Sequence, residues 1–123
     1  MKPLLPTLKE RKRYVVYELV SAKPLAKSAE REVLTHLQAT LGLFDGARAG
    51  ILPVRYDTKL QTGVLRVSNA ATDKVKAALL LLRTAGGQRV VPRVRGVSGI
   101  LNKTDRFLPE ERTINADLKI SEV

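Results

Sequence analysis

Between residues 14 and 95 the apolar side chains recur with the period of a strand, then of a helix, then of two strands, then of a helix and finally of a strand. That order constrains the fold more than any other feature, because alternating segments bury one face of a sheet and segments of period 3.6 cover it. Tyr14-Val-Val-Tyr-Glu-Leu-Val20 is β-branched and aromatic, as a strand should be. Ser28 offers an N-cap to a helix carrying Ala29, Val33, Leu37 and Leu41 at helical spacing, with Gly42 as its expected end. Residues 51–57 and 62–68 read as two strands joined by the polar turn Asp57-Thr-Lys-Leu-Gln61, a hairpin. A second helix is expected with Asn69 or Thr72 as cap, Val75, Ala78, Leu79 and Leu82 on one face, and Gly86-Gly87 as terminator. A last strand is expected over 88–95.

The order β-α-β-β-α-β predicts an α+β fold: the ferredoxin-like split βαβ used by RNA-recognition-motif domains, with an antiparallel sheet and both helices on one face. In that topology the second and fourth strands lie at the sheet edges. Pro53 and Pro92 fall in those two strands, where a missing N–H breaks no ladder.

Such a domain fills residues 14–108. Across the whole chain 22 Lys and Arg face 12 Asp and Glu, a formal charge of +10 that attracts polyanions and makes nucleic acid the leading partner class. Residues 1–13, with Pro3, Pro6, Lys2, Lys9, Arg11, Lys12 and Arg13, read as a basic arm that lies along phosphates. Residues 109–123 carry Glu110, Glu111, Asp117 and Glu122 against Arg112 and Lys119 and read as an acidic flexible tail. Without cysteine there is no disulfide or thiolate metal site, and His36 is the only histidine. The longest wholly apolar run, Ala77 to Leu82, is too short for a bilayer span, and the N-terminus lacks a secretory core. A soluble cytoplasmic protein is expected.

Strand alternation places Val15, Tyr17 and Leu19 toward the helices and Tyr14, Val16 and Glu18 on the opposite face, where Arg55, Arg66 and Arg93 can join them. Guanidinium groups grip phosphate oxygens with paired donors and stack on bases, so this face is a candidate RNA surface; alternatively Glu18 pairs with one or two of the arginines in a structural network. The strand Thr62-Gly-Val-Leu-Arg-Val-Ser68 lacks the base-stacking aromatics of a typical RNA-recognition motif, which argues for binding by shape and phosphate. Arg93-Val-Arg95-Gly96-Val-Ser98-Gly99 brackets a hydroxyl with glycines, so backbone N–H groups and Ser98 can approach an anion, and Lys103 and Arg106 extend the charge. The competing reading is an ordinary turn leaving an edge strand. Ser98 lacks the second glycine of a nucleophile elbow, and His36 reads as a surface residue, so no catalytic residues are expected. Leu80 and Leu81 exceed the single apolar stripe a covering helix needs, leaving either a subunit interface, self-association included, or burial under the C-terminal segment.

Pro6-Thr-Leu-Lys…Lys12-Arg13-Tyr14-Val-Val-Tyr-Glu, the Val75…Ala77-Ala78-Leu79 helix, and Arg93-Val-Arg95-Gly96-Val-Ser98-Gly99 followed by Lys103 and Phe107-Leu108 together resemble the archaeal ribonuclease P protein component 2 family. The similarity spans residues 6 to about 108 and departs from the family pattern at Ile100 and Asn102. The resemblance implies a non-catalytic subunit that pairs with the TIM-barrel protein component 3. It supports the ribonuclease P RNA as that RNA removes the 5′ leader from precursor tRNA. Magnesium is then bound by the RNA and no cofactor by the protein. Two rival classes stand beside this. An acylphosphatase-like enzyme needs glycine and arginine in the first strand–helix loop, which here reads Ser21-Ala-Lys-Pro-Leu-Ala-Lys27. In a ferredoxin-like protein-interaction or ligand-sensing module the charge serves only solubility, and salt-dependent RNA binding separates that class from a subunit of ribonuclease P or of another RNA-binding ribonucleoprotein.

Overall fold

A computed structural model describes residues 11–100. Strand β1 (Lys12–Val20) is followed by helix α1 (Ala29–Ala49), the hairpin of β2 (Leu52–Asp57) and β3 (Thr62–Ser68), a 3-10 turn (Asn69–Ala71), and helix α2 (Thr72–Leu80). A two-residue-arm hairpin of β4 (Thr84–Ala85) and β5 (Gln88–Arg89) then leads into β6 (Val91–Ser98). The four long strands form one antiparallel sheet in the order β2-β3-β1-β6. Each central strand thus separates the two strands of a βαβ pair, the split arrangement expected. Pro53 and Pro92 sit on the edge strands β2 and β6.

One face of the sheet meets the helices in a single core. Val15, Tyr17, Leu19, Leu65 and Val67 come from the sheet, Ala29, Val33 and Leu37 from α1, and Val75, Ala78 and Leu79 from α2. The periodicities named the right residues; the element ends differ. Helix α1 does not stop at Gly42. That glycine adopts φ 80° and ψ −179°, open to a residue without a Cβ, and the helix bends there and resumes to Ala49. Ser28 makes no capping hydrogen bond; its hydroxyl instead donates to Glu32 Oε2 at 2.8 Å. Neither Asn69 nor Thr72 caps α2, whose N-cap position is Ala71. Gly86 and Gly87, both at positive φ, are the turn of the β4–β5 hairpin and not the end of the helix. The last strand of the main sheet accordingly begins at Val91 and runs to Ser98, and β1 takes in Lys12 and Arg13 from the expected arm.

The rest of the expected basic arm, residues 1–10, and the tail at 109–123 lie outside the described residues. Among the described residues no helix is long and apolar enough to cross a membrane.

Candidate nucleic-acid interface

Residues paired across antiparallel strands point to the same face. Arg66 pairs with Tyr14 on one side and Leu52 on the other, Arg55 with Val64, and Arg93 with Glu18. The register therefore brings Arg55, Arg66 and Arg93 onto the face away from the helices, on three different strands; Arg55 reaches it through an irregularity of β2 between Pro53 and Arg55, since Pro53 pairs with Leu65 of the core face. Between them lies a small apolar floor, Val16 and Val64, paired with each other and buried although outside the helix-side core. The Nε of Arg66 is buried there with no hydrogen-bond partner. A buried unpaired guanidinium N–H is costly unless a ligand or water meets it.

Arg95 reaches this face by another route. Tyr17 pairs with Val94 but Val16 with Gly96, so Arg95 is the extra residue of a β-bulge. The bulge resets the phase of the strand, which lets both Val94 and Val97 pack against the core despite their spacing of three. Arg95 Nη1 lies 3.4 Å from Glu18 Oε1, with the two side chains 21% and 17% exposed. The structural pairing of Glu18 thus falls to Arg95, a residue assigned from sequence to the RNA strip.

At the far end of the sheet Arg13 Nε donates to Asn69 Oδ1 at 2.9 Å, and its Nη1 lies against the α-carbon of Gly99 where a side chain would stand. Ser98 Oγ accepts from Ile100 N at 3.1 Å and donates to Ile100 O at 2.9 Å, closing a tight turn. The Ser98 hydroxyl is therefore engaged locally, and Gly96 and Ser98 are strand residues, with only Gly99 in a turn. Arg11 is exposed and Lys12 half-buried beside this end. Lys103 and Arg106 lie outside the described residues.

Among the described residues the open face of the sheet carries one aromatic, Tyr14, half-buried and opposite Arg66, so no row of aromatics forms a base platform there. Tyr17 is buried in the core, its ring 6.3 Å from that of Tyr56. Burial, with the neighbouring Tyr56 and Glu30, pushes the Tyr17 hydroxyl far above its ordinary pKa. Burial, followed by Glu30 and Asp57, pushes Tyr56 up to about 12. Phe44 is not packed, as expected for most of the aromatics, but is 79% exposed just beyond the Gly42 bend. Phe107 lies outside the described residues. His36, read from sequence as a surface residue, is half-buried, with Nε2 2.7 Å from Ala78 O, joining α1 to the last turn of α2. Among the described residues no group of His, Cys, Asp and Glu is placed to hold a metal ion. Leu80 and Leu81 are exposed at the end of α2, at 57% and 60%.

Sequence reasoning passed over Lys23, Lys27 and Lys59, which the fold gathers at one end of the sheet. Two lie in the loop after β1 and one in the β2–β3 turn, so only the topology joins them.

A model of the Rpp14/Pop5 family matches residues 13–109. The chain is 33% identical to "Ribonuclease P protein component 2" of Thermococcus gammatolerans over 89% of this chain and 92% of that relative. Identity is 32% to the protein of that name from Archaeoglobus fulgidus, over 86% and 95%, and 31% to that of Methanosarcina mazei, over 90% and 96%. In fold the chain is similar to a chain of the cryo-EM structure of yeast ribonuclease MRP, with a TM-score of 0.56 and 12% identity over 94% of this chain and 98% of that one.

Proposed function

The chain belongs to the Rpp14/Pop5 family, the family its motifs resemble, and from that premise we propose that it is a non-catalytic protein subunit of ribonuclease P. It binds the catalytic RNA and supports it in removing the 5′ leader of precursor tRNA. The observation that carries this reading is the shared placement of Arg55, Arg66 and Arg93 on the sheet face away from the helices. Planar guanidinium groups on a rigid sheet match phosphate oxygens without reading sequence, which suits an RNA recognised by shape. The RNA holds the magnesium ions that activate water, the protein supplies no cofactor, and the work is cytoplasmic.

The exposed Leu80 and Leu81 support a second contact, with protein. In this reading the end of α2 meets the TIM-barrel component 3 or a second copy of the chain, while the opposite face of the sheet is left to RNA.

The test is reconstitution. Protein freed of RNA is combined with the ribonuclease P RNA of its own organism, component 3 and precursor tRNA, and leader release is followed at limiting magnesium. The expected outcome is cleavage that needs the RNA and is enhanced by the chain. Robust cleavage by the protein alone, or no effect of the chain on the RNA, overturns the proposal.

A further inference from the structure

At the end of the sheet opposite Ser98 and Gly99, the loop after β1 and the turn between β2 and β3 enclose a cleft of about 640 Å³ whose walls include Lys23, Lys27 and Lys59. All three lysines are exposed, and no ion pair among the described residues engages them. The carboxylates nearby are already committed. Asp57 Oδ1 accepts from Lys59 N at 2.9 Å and Leu60 N at 3.0 Å, and Glu18 faces Arg95.

The walls are fixed by side chains from elsewhere in the chain. Gln61, at φ 53°, donates through Nε2 to Leu19 O at 2.6 Å and to Ser21 Oγ at 3.1 Å, while its Oε1 accepts from Leu25 N at 3.0 Å. Gln88 donates through Nε2 to Lys23 O at 2.8 Å and Pro24 O at 2.9 Å, and its Oε1 accepts from Lys23 N at 3.2 Å. A loop without regular structure is thereby held by two glutamines. Its lysines project from a backbone already ordered, so a ligand has only their side-chain freedom to remove.

This cleft adjoins the arginine-bearing face. A second groove of about 550 Å³, with Arg55, Thr62 and Val64 in its wall, shares Thr58 and Lys59 with the first. We propose that Lys23, Lys27 and Lys59 form a phosphate-binding cleft that continues the RNA path from the open face of the sheet around its end. The proposal rests on the RNA reading above and adds to it a site on the loops. Three ammonium groups in a concavity focus positive potential, and lysine, a mobile point charge, meets backbone phosphates without demanding a base. Continuity with the arginine face favours a polynucleotide over a small anion, since one strand can occupy both grooves.

The probe is the ribonuclease P RNA of the same organism, with affinity measured across a salt series. The variant Lys23→Ala/Lys27→Ala/Lys59→Ala is compared with Arg31→Ala/Lys76→Ala/Arg83→Ala, which removes the same charge from the helix layer, and with the lysine-to-arginine version of the cleft triple. Each phosphate contact contributes roughly 0.7–0.9 to the slope of log affinity against log salt, so the alanine cleft variant should lose about two or more from that slope and bind on the order of tenfold more weakly at physiological salt. The helix-layer variant and the arginine variant should keep the wild-type slope, and all three should melt with the wild type. Equal losses in both alanine variants reduce the effect to bulk charge and overturn the proposal. An unchanged slope in the cleft variant overturns it while wild-type binding upholds the RNA reading. Loss of component 3 binding with an unchanged slope makes the cleft a protein site, which also overturns it. Absence of salt-dependent binding by the wild type removes the RNA reading and the cleft with it.

Discussion

At Gly63 the sheet leaves room for no side chain: a Cβ there would stand 2.5 Å from the Tyr17 ring, which lies across the glycine from the neighbouring strand. Tyr17 thus covers β3 on the core side, and the open face of that strand carries no aromatic of its own. Gly63→Ala should cost about 1–3 kcal/mol by overpacking, read as a lower urea midpoint at unchanged slope; wild-type stability would mean that the ring moves aside freely. The hydroxyls of Tyr17 and Tyr56 are buried without hydrogen-bond partners. Their folded pKa values are raised, with Tyr56 at about 12 against 10.0 in the unfolded chain. The protonated form is the one the fold favours, so the stability linked to it is complete below pH 10 and is lost as pH rises through 12. Alkaline melting should therefore begin in that window, with tyrosinate absorbance appearing together with unfolding. Tyr17→Phe should leave neutral-pH stability within about 1 kcal/mol of wild type, because no hydrogen bond is lost, and should blunt the alkaline loss.

Among the elements, β6 shows how one extra residue decides what two faces present. With Arg95 as a bulge, Val94 and Val97 both reach the core and Arg93 shares the open face with Glu18. Arg95→Ala should retain the bulge, whose cause is the spacing of the valines. Deleting residue 95 should remove the bulge and leave Val94 and Val97 two residues apart, both still facing the core with Gly96 opposite Val16, at little cost in melting temperature. A melting temperature several degrees lower for the deletion than for Arg95→Ala would mean that the bulge itself, and not the valine spacing, holds the register of β6. Helix α2 ends with Leu79 buried and Leu80 and Leu81 exposed, so a charge at either exposed position touches no core contact. Leu80→Asp or Leu81→Asp should keep the fold and abolish association with a protein partner, measured by sedimentation. Unchanged association would take this helix end out of the interface.

For the molecule as a whole, charge and layering act together: helices cover one side, and arginines occupy the other. Arg93 is exposed and opposite Glu18, whereas Glu18 forms an ion pair with Arg95. The two arginines should therefore separate in their effects. Arg93→Ala should reduce the salt slope of RNA binding by about 0.7–0.9 with little change in melting temperature. Arg95→Ala should shift stability by up to about 1 kcal/mol, the range of partly exposed pairs. If both variants keep the wild-type slope, the β6 edge is not an RNA contact.

By itself the amino-acid sequence determined the element order, the core residues Val15, Tyr17, Leu19, Val33, Leu37, Val75 and Leu79, and the edge positions of β2 and β6, because period and proline placement are local properties of the chain. It also pointed to a shared face for Arg55, Arg66 and Arg93, but Arg55 stands there because β2 departs from alternation between Pro53 and Arg55. Tertiary structure alone decided that Gly42 bends α1 instead of ending it, that Gly86-Gly87 turns a hairpin, and that Arg95 meets Glu18. A glycine permits a stop, a bend or a turn alike, and packing of Ala49, Ala85 and Val90 into the core selects among them. The lysine cleft belongs wholly to the fold. Lys23 and Lys59 are far apart in sequence, and Gln61 and Gln88 hold their loops together through contacts that no local pattern encodes.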